Sequence, residues 1–335
     1  MNIVIDAMGG DNAPQEIVKG AVKACENKNG FEITLVGKKE LIENELNKYK
    51  NFAQNRIKIK NAREVITMND SPARALRKKK DSSLSIASKM IFDNEGDALI
   101  SAGNTGAVMA AGLFNIGRLT GIKRPSISTL FPAENGFTLL MDAGANTDSS
   151  PENLLQFAVM GDIYAREIMN IANPKIGLLS IGEEEKKGNT LVKETHKMLK
   201  EDKRITNFIG NVEGRDIFND KADIIICDGF VGNVVLKTTE GAASFMFSML
   251  KEAFTKNLLS KLGAAALKPQ LKEMMQKLDY KQYGGAPLLG INGIAIISHG
   301  SSDATAIVNA INVAIDAIDN NIVNLIEKEI NKDGV

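Results

Sequence analysis

Short apolar runs alternate along the chain with longer stretches in which apolar residues recur at helical spacing. The short runs predict strands at Ile3–Asp6, Ile33–Val36, Ala98–Ile100, Thr138–Met141, Ile176–Ser180, Ile205–Gly210, Asp223–Cys227 and Ala295–Ser298. The longer stretches predict helices at Gln15–Glu26, Leu154–Asn170 and Ala304–Ile330. Strands that alternate with helices in this way indicate an α/β fold, with a largely parallel sheet between two layers of helices.

Loops rich in Gly, Asn and Asp follow several of the predicted strands. Their sequences are DAMGGDNAP from Asp6, SAGNTGA from Ser101, DAGANTDSSP from Asp142 and DGFVGN from Asp228. In open α/β sheets, ligands bind outside the carboxyl ends of the strands. We therefore expect these loops to lie together at one edge of the sheet and to form one crevice.

The composition narrows the class of protein. The 335 residues fit one large α/β domain or two lobes with a shared core, and 44% hydrophobic with 24% charged residues matches neither a disordered nor an integral membrane protein. Lys plus Arg and Asp plus Glu number 41 each and aromatic residues make up 5%, so no nucleic-acid partner is predicted. Cys25 and Cys227 stand far apart outside any CxxC motif, which predicts neither a disulfide nor a zinc site. The N-terminus has no signal-peptide pattern, so we expect a cytoplasmic protein.

The SAGNTGAVMAAG segment is the clearest candidate for ligand binding. Gly103 and Gly106 allow a sharp turn, and Asn104 or Thr105 is suited to cap a helix that begins near Ala107. Free N–H groups at such a helix start would bind phosphate or a thioester oxyanion. The alternative is that the segment is only a turn between a strand and a helix.

Other polar residues follow predicted strands at positions where a ligand would bind. Lys187, beside Asn189, would place an ammonium group on bound phosphate, although the charged run around it is also typical of a solvated helix start. Asp228 and Asn233 either orient a polar ligand or cap a helix.

The two histidines have different surroundings in the sequence. His299 lies between a predicted strand and a helix, next to Ser301 and Ser302, which suits an acid–base group or a phosphate contact as well as a structural role. His196 lies in a polar helical stretch and is predicted at the protein surface.

Several common catalytic motifs are missing from the sequence. There is no GxGxxG dinucleotide fingerprint, no GxxxxGK[ST] phosphate loop, no GxSxG nucleophile elbow and no HExxH zinc motif. The usual NAD, ATP, serine-hydrolase and zinc-protease interpretations therefore lose their main support. A reaction whose nucleophile comes from the substrate would need none of these motifs.

Taken together, the polar loops resemble the phosphate acyltransferase family of bacterial phospholipid synthesis, the PlsX family. The matching blocks are Asp6–Pro14, Ser101–Ala107, Lys123–Pro125, Asp142–Gly161, Gly177–Asn189, Gly210–Ile217, Ala222–Gly241 and Tyr283–Ala304. They cover nearly the full chain in order. Asn12 stands where many members carry His, and Ser126 where Ala or Gly is usual, so no proton transfer is assigned to Asn12.

The resemblance implies a fold, a reaction and a set of partners. The fold would be a three-layer α/β/α arrangement similar to the isopropylmalate dehydrogenase and phosphotransacetylase group, working as a homodimer. The reaction would convert phosphate and acyl-[acyl carrier protein] (acyl-ACP) to acyl phosphate and free ACP, without cofactor or metal. The product would pass to a membrane glycerol-3-phosphate acyltransferase.

This reaction needs few catalytic groups, because phosphate is itself an oxyanion nucleophile and a thiol of pKa roughly 8.5 leaves readily. The protein must hold phosphate near the thioester and stabilise the tetrahedral oxyanion. Our hypothesis assigns Lys187, Asn233 and His299 to catalysis, with Lys187 neutralising charge and the other two contacting the carbonyl or the thiol. The predicted substrate or phosphate contacts are Gly103, Asn104, Thr105, Gly106, Asp142, Asn146, Asn189, Asp228, Ser301 and Ser302.

Residues 241–278 predict an apolar helical hairpin. The apolar positions are Phe245, Met249, Phe254, Leu258 and Leu262 before a Gly-Ala-Leu tip ending at Leu267, and Leu271, Met274, Met275 and Leu278 after Pro269. Such faces usually pack against a core or a dimer mate. With Lys256, Lys261 and Lys268 nearby, the tip would also suit peripheral contact with an anionic membrane.

Arg74, Arg77, Lys78, Lys79 and Lys80 form the densest basic cluster, which is either a solvated surface or a docking site for the acidic ACP. Two other functions stay open. One is a phosphotransacetylase-like enzyme that uses acyl-CoA, and the other is a non-catalytic acyl- or anion-binding protein that recruits lipid enzymes to the membrane.

Overall fold

The computed structural model describes residues 1–49, 54–271 and 284–332. Within them, an 11-stranded sheet runs in the order β3-β2-β1-β4-β11-β10-β5-β6-β9-β7-β8. The strands are β1 Asn2–Asp6, β2 Glu32–Gly37, β3 Ile57–Asn61, β4 Ala98–Ser101, β5 Ser126–Ala133, β6 Gly136–Met141, β7 Ile176–Leu179, β8 Phe208–Val212, β9 Ile224–Ile226, β10 Ala286–Leu289 and β11 Ile294–Ile297.

Helices join most of these strands. They are α1 Gln15–Asn27, α2 Lys39–Leu46, α3 Pro72–Lys78, α4 Ser83–Phe92, α5 Thr105–Ala111, α6 Pro151–Glu167, α7 Thr190–Glu201, α8 Gly229–Thr255, α9 Leu258–Ala266, α10 Ala304–Asp319 and α11 Ile322–Ile330. A π-helical turn, Gly112–Ile116, extends α5, and a 3-10 turn spans Gly214–Phe218. None of the described helices is both long enough and apolar enough to cross a membrane.

Helices cover both faces of the sheet, as β1 shows. Side chains alternate across a strand, so Ile3 and Ile5 pack into one core with residues of α1 and α10, whereas Val4 packs into another with residues of α4 and α5. All three side chains are fully buried. A strand that is apolar on both faces is typical of a sheet between two helical layers, and the predicted three-layer α/β/α fold is confirmed.

The strands fall into two parallel groups that run in opposite directions. β3, β2, β1, β4 and β11 form one parallel group, and β6, β9, β7 and β8 form the other. Three antiparallel ladders lie between them, β11 with β10, β10 with β5 and β5 with β6. Because three reversals invert direction, the loops after β1 and β4 leave the sheet at the opposite edge from those after β6 and β9. The prediction that all the polar loops share one edge is therefore wrong, although residues of three of the four loops line one cavity, as the predicted shared crevice requires.

Most element bounds agree with the predictions within a few residues. The strand predicted at Ile205–Gly210 is displaced to β8, and the helix predicted over Ala304–Ile330 breaks into α10 and α11 at Asn321, whose φ is +51°. β3, β5 and β10 were not predicted. β5 and β10 contain proline, which weakens the strand pattern, whereas β3 has the alternating pattern IKIKN of a half-exposed strand.

The hairpin predicted at 241–278 lies partly outside the described residues, because Met274, Met275 and Leu278 fall in the gap. Its first part is helical, as α8 and α9. Phe245, Met249 and Leu262 on these helices are all exposed. An apolar face without cover is therefore present in this single chain.

Candidate active site

A cavity of about 460 Å³ lies where the two strand groups meet. We call it the central cavity. It is lined by Thr105, Gly106 and Met109 of α5, by Ile127, Thr129 and Leu130 of β5, by Ala143 and Gly144 after β6, by Asn233, Leu236, Lys237 and Glu240 of α8, and by Gly285, Ala286, Ile297, Ser298 and His299 around β10 and β11. The lining thus combines apolar and polar residues, which suits a ligand with an apolar chain and a polar end.

The central cavity contains four of the predicted site residues, which come from three distant segments of sequence. They are Thr105, Gly106, Asn233 and His299. The loop after β6 reaches the cavity, although β6 ends at the other edge of the sheet, because the Ala143 amide bonds to the Ile127 carbonyl of β5 at 2.9 Å.

The orientation of the His299 ring is set by the turn that follows it. The Ser301 backbone N–H donates to His299 Nδ1 at 3.2 Å, and the Ser301 hydroxyl lies 2.9 Å from the same atom. A backbone N–H can only donate, so Nδ1 accepts and the neutral ring carries its proton on Nε2. His299 is thereby prepared as a hydrogen-bond donor.

Ser301 and Ser302 support this turn and do not line the central cavity. The Ser302 amide donates to the His299 carbonyl at 2.9 Å, and its side chain is buried. Asn12 Nδ2 lies 3.4 Å from the carbonyl oxygens of both serines. Asn12, which departs from the family pattern, is thus a packing contact of the His299 turn.

Gly103 and Asn104 build the loop between β4 and α5. The Gly103 amide donates to the Ser101 hydroxyl at 3.1 Å, and that hydroxyl donates to Asp6 at 2.8 Å. Burial raises the pKa of Asp6, against the hydrogen bonds from serine hydroxyls and backbone amides that lower it. Asn104 caps α5 by accepting from the Ala107 amide at 3.1 Å. Its amide nitrogen contacts carbonyls of residues 67–70, so this side chain is engaged within the protein.

Asp142 is the centre of the loop after β6. It is fully buried, and its carboxylate accepts from the backbone amides of Ile127, Gly144, Ala145 and Asn146 at 2.7–3.1 Å. The Asn146 side chain donates to Asp142 at 2.8 Å and to the Pro125 carbonyl at 2.7 Å. Burial raises the pKa of Asp142, and these donors oppose the rise. In this structure the Asp142 carboxylate and the Asn146 amide group hold the loop, and substrate contact by these two residues stays a prediction.

The start of α8 packs closely against the Asp142 loop. A Cβ at Gly232 would lie 1.8 Å from the Asp142 carbonyl oxygen, so no side chain fits there. This contact brings α8 down onto the loop and places Asn233, the next residue, in the central cavity. Gly232 of the DGFVG segment therefore allows α8 to approach the Asp142 loop closely.

A second cavity of about 290 Å³, which we call the side cavity, lies beside α6, α7 and the start of α8. Its lining includes Ser180, Leu191, Val192, Cys227 and the predicted residues Asn189 and Asp228. Asn189 caps α7 through the Val192 amide at 2.9 Å, and Asp228 caps α8 through the Val231 amide at 3.0 Å. Both side chains therefore act as helix caps in this structure.

Lys187 and His196 also differ from the simplest expectation. Lys187 is exposed on the turn before α7 and is not part of the lining of either cavity. The prediction that His196 lies at the surface is wrong, since it is 6% exposed and packs edge-on against Phe208 with ring centroids 5.0 Å apart. Ser298 and the apolar lining residues of the central cavity were not predicted as site residues from the sequence. The apolar run IAIIS that ends β11 was the only signal for them.

The fold and the central cavity together define an α/β/α protein with a binding site between two groups of strands. The fold is similar to that of a phosphotransacetylase from Streptococcus pyogenes (TM-score 0.61, 19% identity, covering 95% of this chain and 94% of that one). It is equally similar to the EutD phosphotransacetylase from Staphylococcus aureus (TM-score 0.61, 15% identity, 95% and 94% covered). At these identities the likeness concerns the fold alone.

Sequence relatives identify the family. The model of a family described as "Fatty acid synthesis protein" matches residues 1–325. A phosphate acyltransferase from Halothermothrix orenii is 59% identical over 334 residues, which is 100% of both chains, and one from Desulfitobacterium hafniense (strain DSM 10664 / DCB-2) is 53% identical over 331 residues, 98% of both. The chain belongs to this family of fatty acid synthesis proteins, together with the phosphate acyltransferases. The predicted resemblance is confirmed.

Proposed function

We propose that this protein transfers a fatty acyl group from the thioester of acyl-ACP to inorganic phosphate, which yields acyl phosphate and free ACP as an early step of phospholipid synthesis. The observation that carries the proposal is the central cavity, whose apolar lining residues suit an acyl chain and whose polar lining residues suit a thioester and phosphate. The names of the relatives at 59% and 53% identity support the same reaction.

The described cavity residues fit a reaction in which the substrate supplies the nucleophile. Ser298, the serine of the central cavity, has no hydrogen-bond partner among the described residues and so no base to activate it. Cys227 lies in the side cavity, and burial raises the pKa of its thiol well above the ordinary value. An unactivated hydroxyl and a protonated thiol are both poor nucleophiles, whereas phosphate is already anionic.

The reaction proceeds by attack of a phosphate oxygen on the thioester carbonyl carbon. The carbonyl electron pair moves onto oxygen, and collapse of the tetrahedral intermediate breaks the C–S bond and releases the thiolate. We assign His299 and Asn233 to the acyl group, because both line the central cavity and both carry N–H donors. Thr105 and Gly106 are assigned to the phosphate. Lys187 remains a hypothesis for charge neutralisation, and Lys187→Ala tests it through the KM for phosphate.

Release of free thiol from acyl-ACP, followed with and without phosphate, tests the function directly. We expect thiol release to require phosphate and the acyl phosphate to form in equal amount. Turnover of acyl-CoA, compared with turnover of acyl-ACP, tests the alternative of a phosphotransacetylase-like enzyme. Binding of acyl-ACP without any phosphate-dependent release would instead support a non-catalytic recruiter and overturn the proposal.

We also propose that the basic face of α3 docks ACP. Arg74, Arg77 and Lys78 are exposed and lie at helical spacing on one side of α3. The N-terminal Pro72 of this helix lies against Gly106 of the central cavity, since a Cβ there would come within 2.7 Å of the proline ring. Lys79 belongs to the cluster only in sequence, because its amine pairs with Asp70 at 2.6 Å and so lowers the pKa of Asp70 to about 2.

Reversing charges on α3 tests whether this face docks ACP or only contributes to the overall charge of the protein. The Arg74→Glu/Arg77→Glu variant should raise the KM for acyl-ACP about tenfold at low salt with little change in kcat, because screened surface charges act mainly on encounter. Lys23→Glu/Lys28→Glu on the exposed end of α1 carries the same charge change and is the control. Equal KM values in the two variants would exclude this surface.

A homodimer and peripheral membrane contact remain proposals for α8 and α9. The exposed apolar residues of these helices need a cover, and a second copy of the chain is the simplest one. We propose that the tip near Leu267 contacts the inner face of the cell membrane, where a glycerol-3-phosphate acyltransferase would take the acyl phosphate. Liposome flotation should fall for Leu267→Glu and not for Leu41→Glu, a similarly exposed leucine on α2. Unchanged flotation of Leu267→Glu would argue against membrane contact.

A further inference from the structure

Ser298 has two features that bear on the proposed reaction. It lines the central cavity directly after β11, and its hydroxyl is buried without a hydrogen-bond partner among the described residues. Ser298 as a whole is only 3% exposed. A buried hydroxyl without a partner is unfavourable in a folded protein, so its presence at a ligand cavity needs an explanation.

Gly285 packs directly beside this hydroxyl. Gly285, which also lines the cavity, has a φ of +90°, and a Cβ at this position would lie 3.1 Å from Ser298 Oγ and 2.8 Å from the Ile297 carbonyl oxygen. Any larger residue would press on the serine and strain its own backbone. The glycine therefore leaves the hydroxyl without pressure from a side chain at position 285.

Other buried hydroxyls without partners show that burial alone does not define a site. Ser126 and Thr195 share this property, but neither lines either cavity. Ser180 shares it as well and lines the side cavity, so Ser298 is distinguished by its place in the central cavity, next to His299. In sequence it stands between Ile297 and His299, an apolar and a polar residue of that lining, and the carbonyl of a bound thioester likewise joins an apolar chain to a reacting end.

We propose that Ser298 is a further catalytic residue, whose hydroxyl donates a hydrogen bond to the acyl carbonyl oxygen as that oxygen becomes an oxyanion. The inference rests on the proposed function. A phosphate oxygen forms the new C–O bond, the carbonyl pair moves to the oxygen facing Ser298, and collapse expels the thiolate with the C–S electron pair. Ser298 gives up no proton in this sequence. Its bond is strongest when the oxygen is charged, so it acts mainly on kcat.

The test is Ser298→Ala measured against Ser126→Ala, which removes an equally buried hydroxyl outside the cavity. We expect kcat of Ser298→Ala to fall about 100-fold, the usual effect of losing one oxyanion donor. The KM values for phosphate and acyl-ACP should change less than about twofold. Ser126→Ala should keep the kcat of the wild type, and both variants should keep its thermal stability, since no protein hydrogen bond is lost.

Three results would overturn the inference. An unchanged kcat would show that the hydroxyl does not contact the reacting oxygen. A raised KM for phosphate at normal kcat would make Ser298 a phosphate contact instead. Loss of stability in Ser298→Ala would reveal a structural partner. Failure of the proposed function is a separate result, because wild-type protein would then release no thiol in response to phosphate.

Discussion

The central cavity and the side cavity are lined by similar kinds of residue but use them differently. Both lie at loops rich in Gly, Asn and Asp, and apolar residues make up much of both linings. Each lining also includes one buried serine whose hydroxyl has no partner among the described residues, Ser298 in the central cavity and Ser180 in the side cavity. In the side cavity, Asn189 and Asp228 accept hydrogen bonds from the first turns of α7 and α8. In the central cavity, the turn after His299 holds its ring with Nε2 as a donor.

We expect this difference to separate loops that bind a ligand from loops that only shape the fold. A side chain that satisfies its own backbone has little capacity left for a ligand. A side chain that a neighbouring group orients at a cavity is better placed to bind one. The comparison predicts large effects on turnover for changes in the central cavity and effects on stability alone for changes in the side cavity.

The largest effect is expected for His299→Ala. Loss of this positioned donor should lower kcat about 100-fold, within the range usual for proton-donating or hydrogen-bonding catalytic groups, with little change in the free energy of unfolding. Asn189→Ala is the matched change in the side cavity and should keep turnover within about twofold. Phosphate-dependent thiol release gives both values. A similar loss of turnover in the two variants would break the distinction between the cavities.

The next effect concerns the acyl chain. Met109→Trp should fill part of the central cavity and displace about two methylene groups of a long acyl chain, each worth roughly 0.8 kcal/mol of burial. Turnover of long-chain acyl-ACP at low substrate should therefore fall about tenfold, while short-chain substrates lose little. Leu191→Trp narrows the side cavity and is the control. If Leu191→Trp alone altered the chain-length profile, the acyl chain would belong in the side cavity.

The comparison also shows what the sequence contains about this site. The runs of β1, β4 and β9 are short and almost wholly apolar, so both the strands and their burial follow from local pattern. The direction of the second strand group does not follow from local pattern, because it depends on how many antiparallel strands lie between the two groups. Two of those strands, β5 and β10, have weak patterns.

The roles of single polar residues are harder to read from sequence. Asn104, Asn189 and Asn233 all stand after Gly-rich strand ends, but the first two cap helices and only the third lines the central cavity. The distinction arises from the approach of α8 to the Asp142 loop, a tertiary contact between residues about 90 positions apart. Composition and spacing carry no information about it.

A smaller effect is expected at the caps. Asp228→Ala removes the acceptor for the Val231 amide and should lower the free energy of unfolding by about 1 kcal/mol, as is usual for such a cap. Turnover at low temperature should change little, because Asp228 does not line the central cavity. Urea denaturation measures the loss, and Asp228→Asn, which keeps a capping oxygen, should restore most of it. A large loss of kcat in Asp228→Asn would give the residue a role in binding.

The smallest effect is a pH dependence of stability at His196, on the helix that borders the side cavity. Burial lowers the pKa of His196, and Glu185 opposes this while Lys200 adds to it. Below the unfolded pKa of about 6.5 the unfolded chain takes up a proton that the folded state resists, so stability is present above that pH and is lost as pH falls below it. Unfolding in urea at pH 7.5 and 5.5 should show a smaller decrease in the free energy of unfolding for His196→Phe than for wild type. An equal decrease in the two proteins would assign the pH dependence to other groups and remove His196 from it.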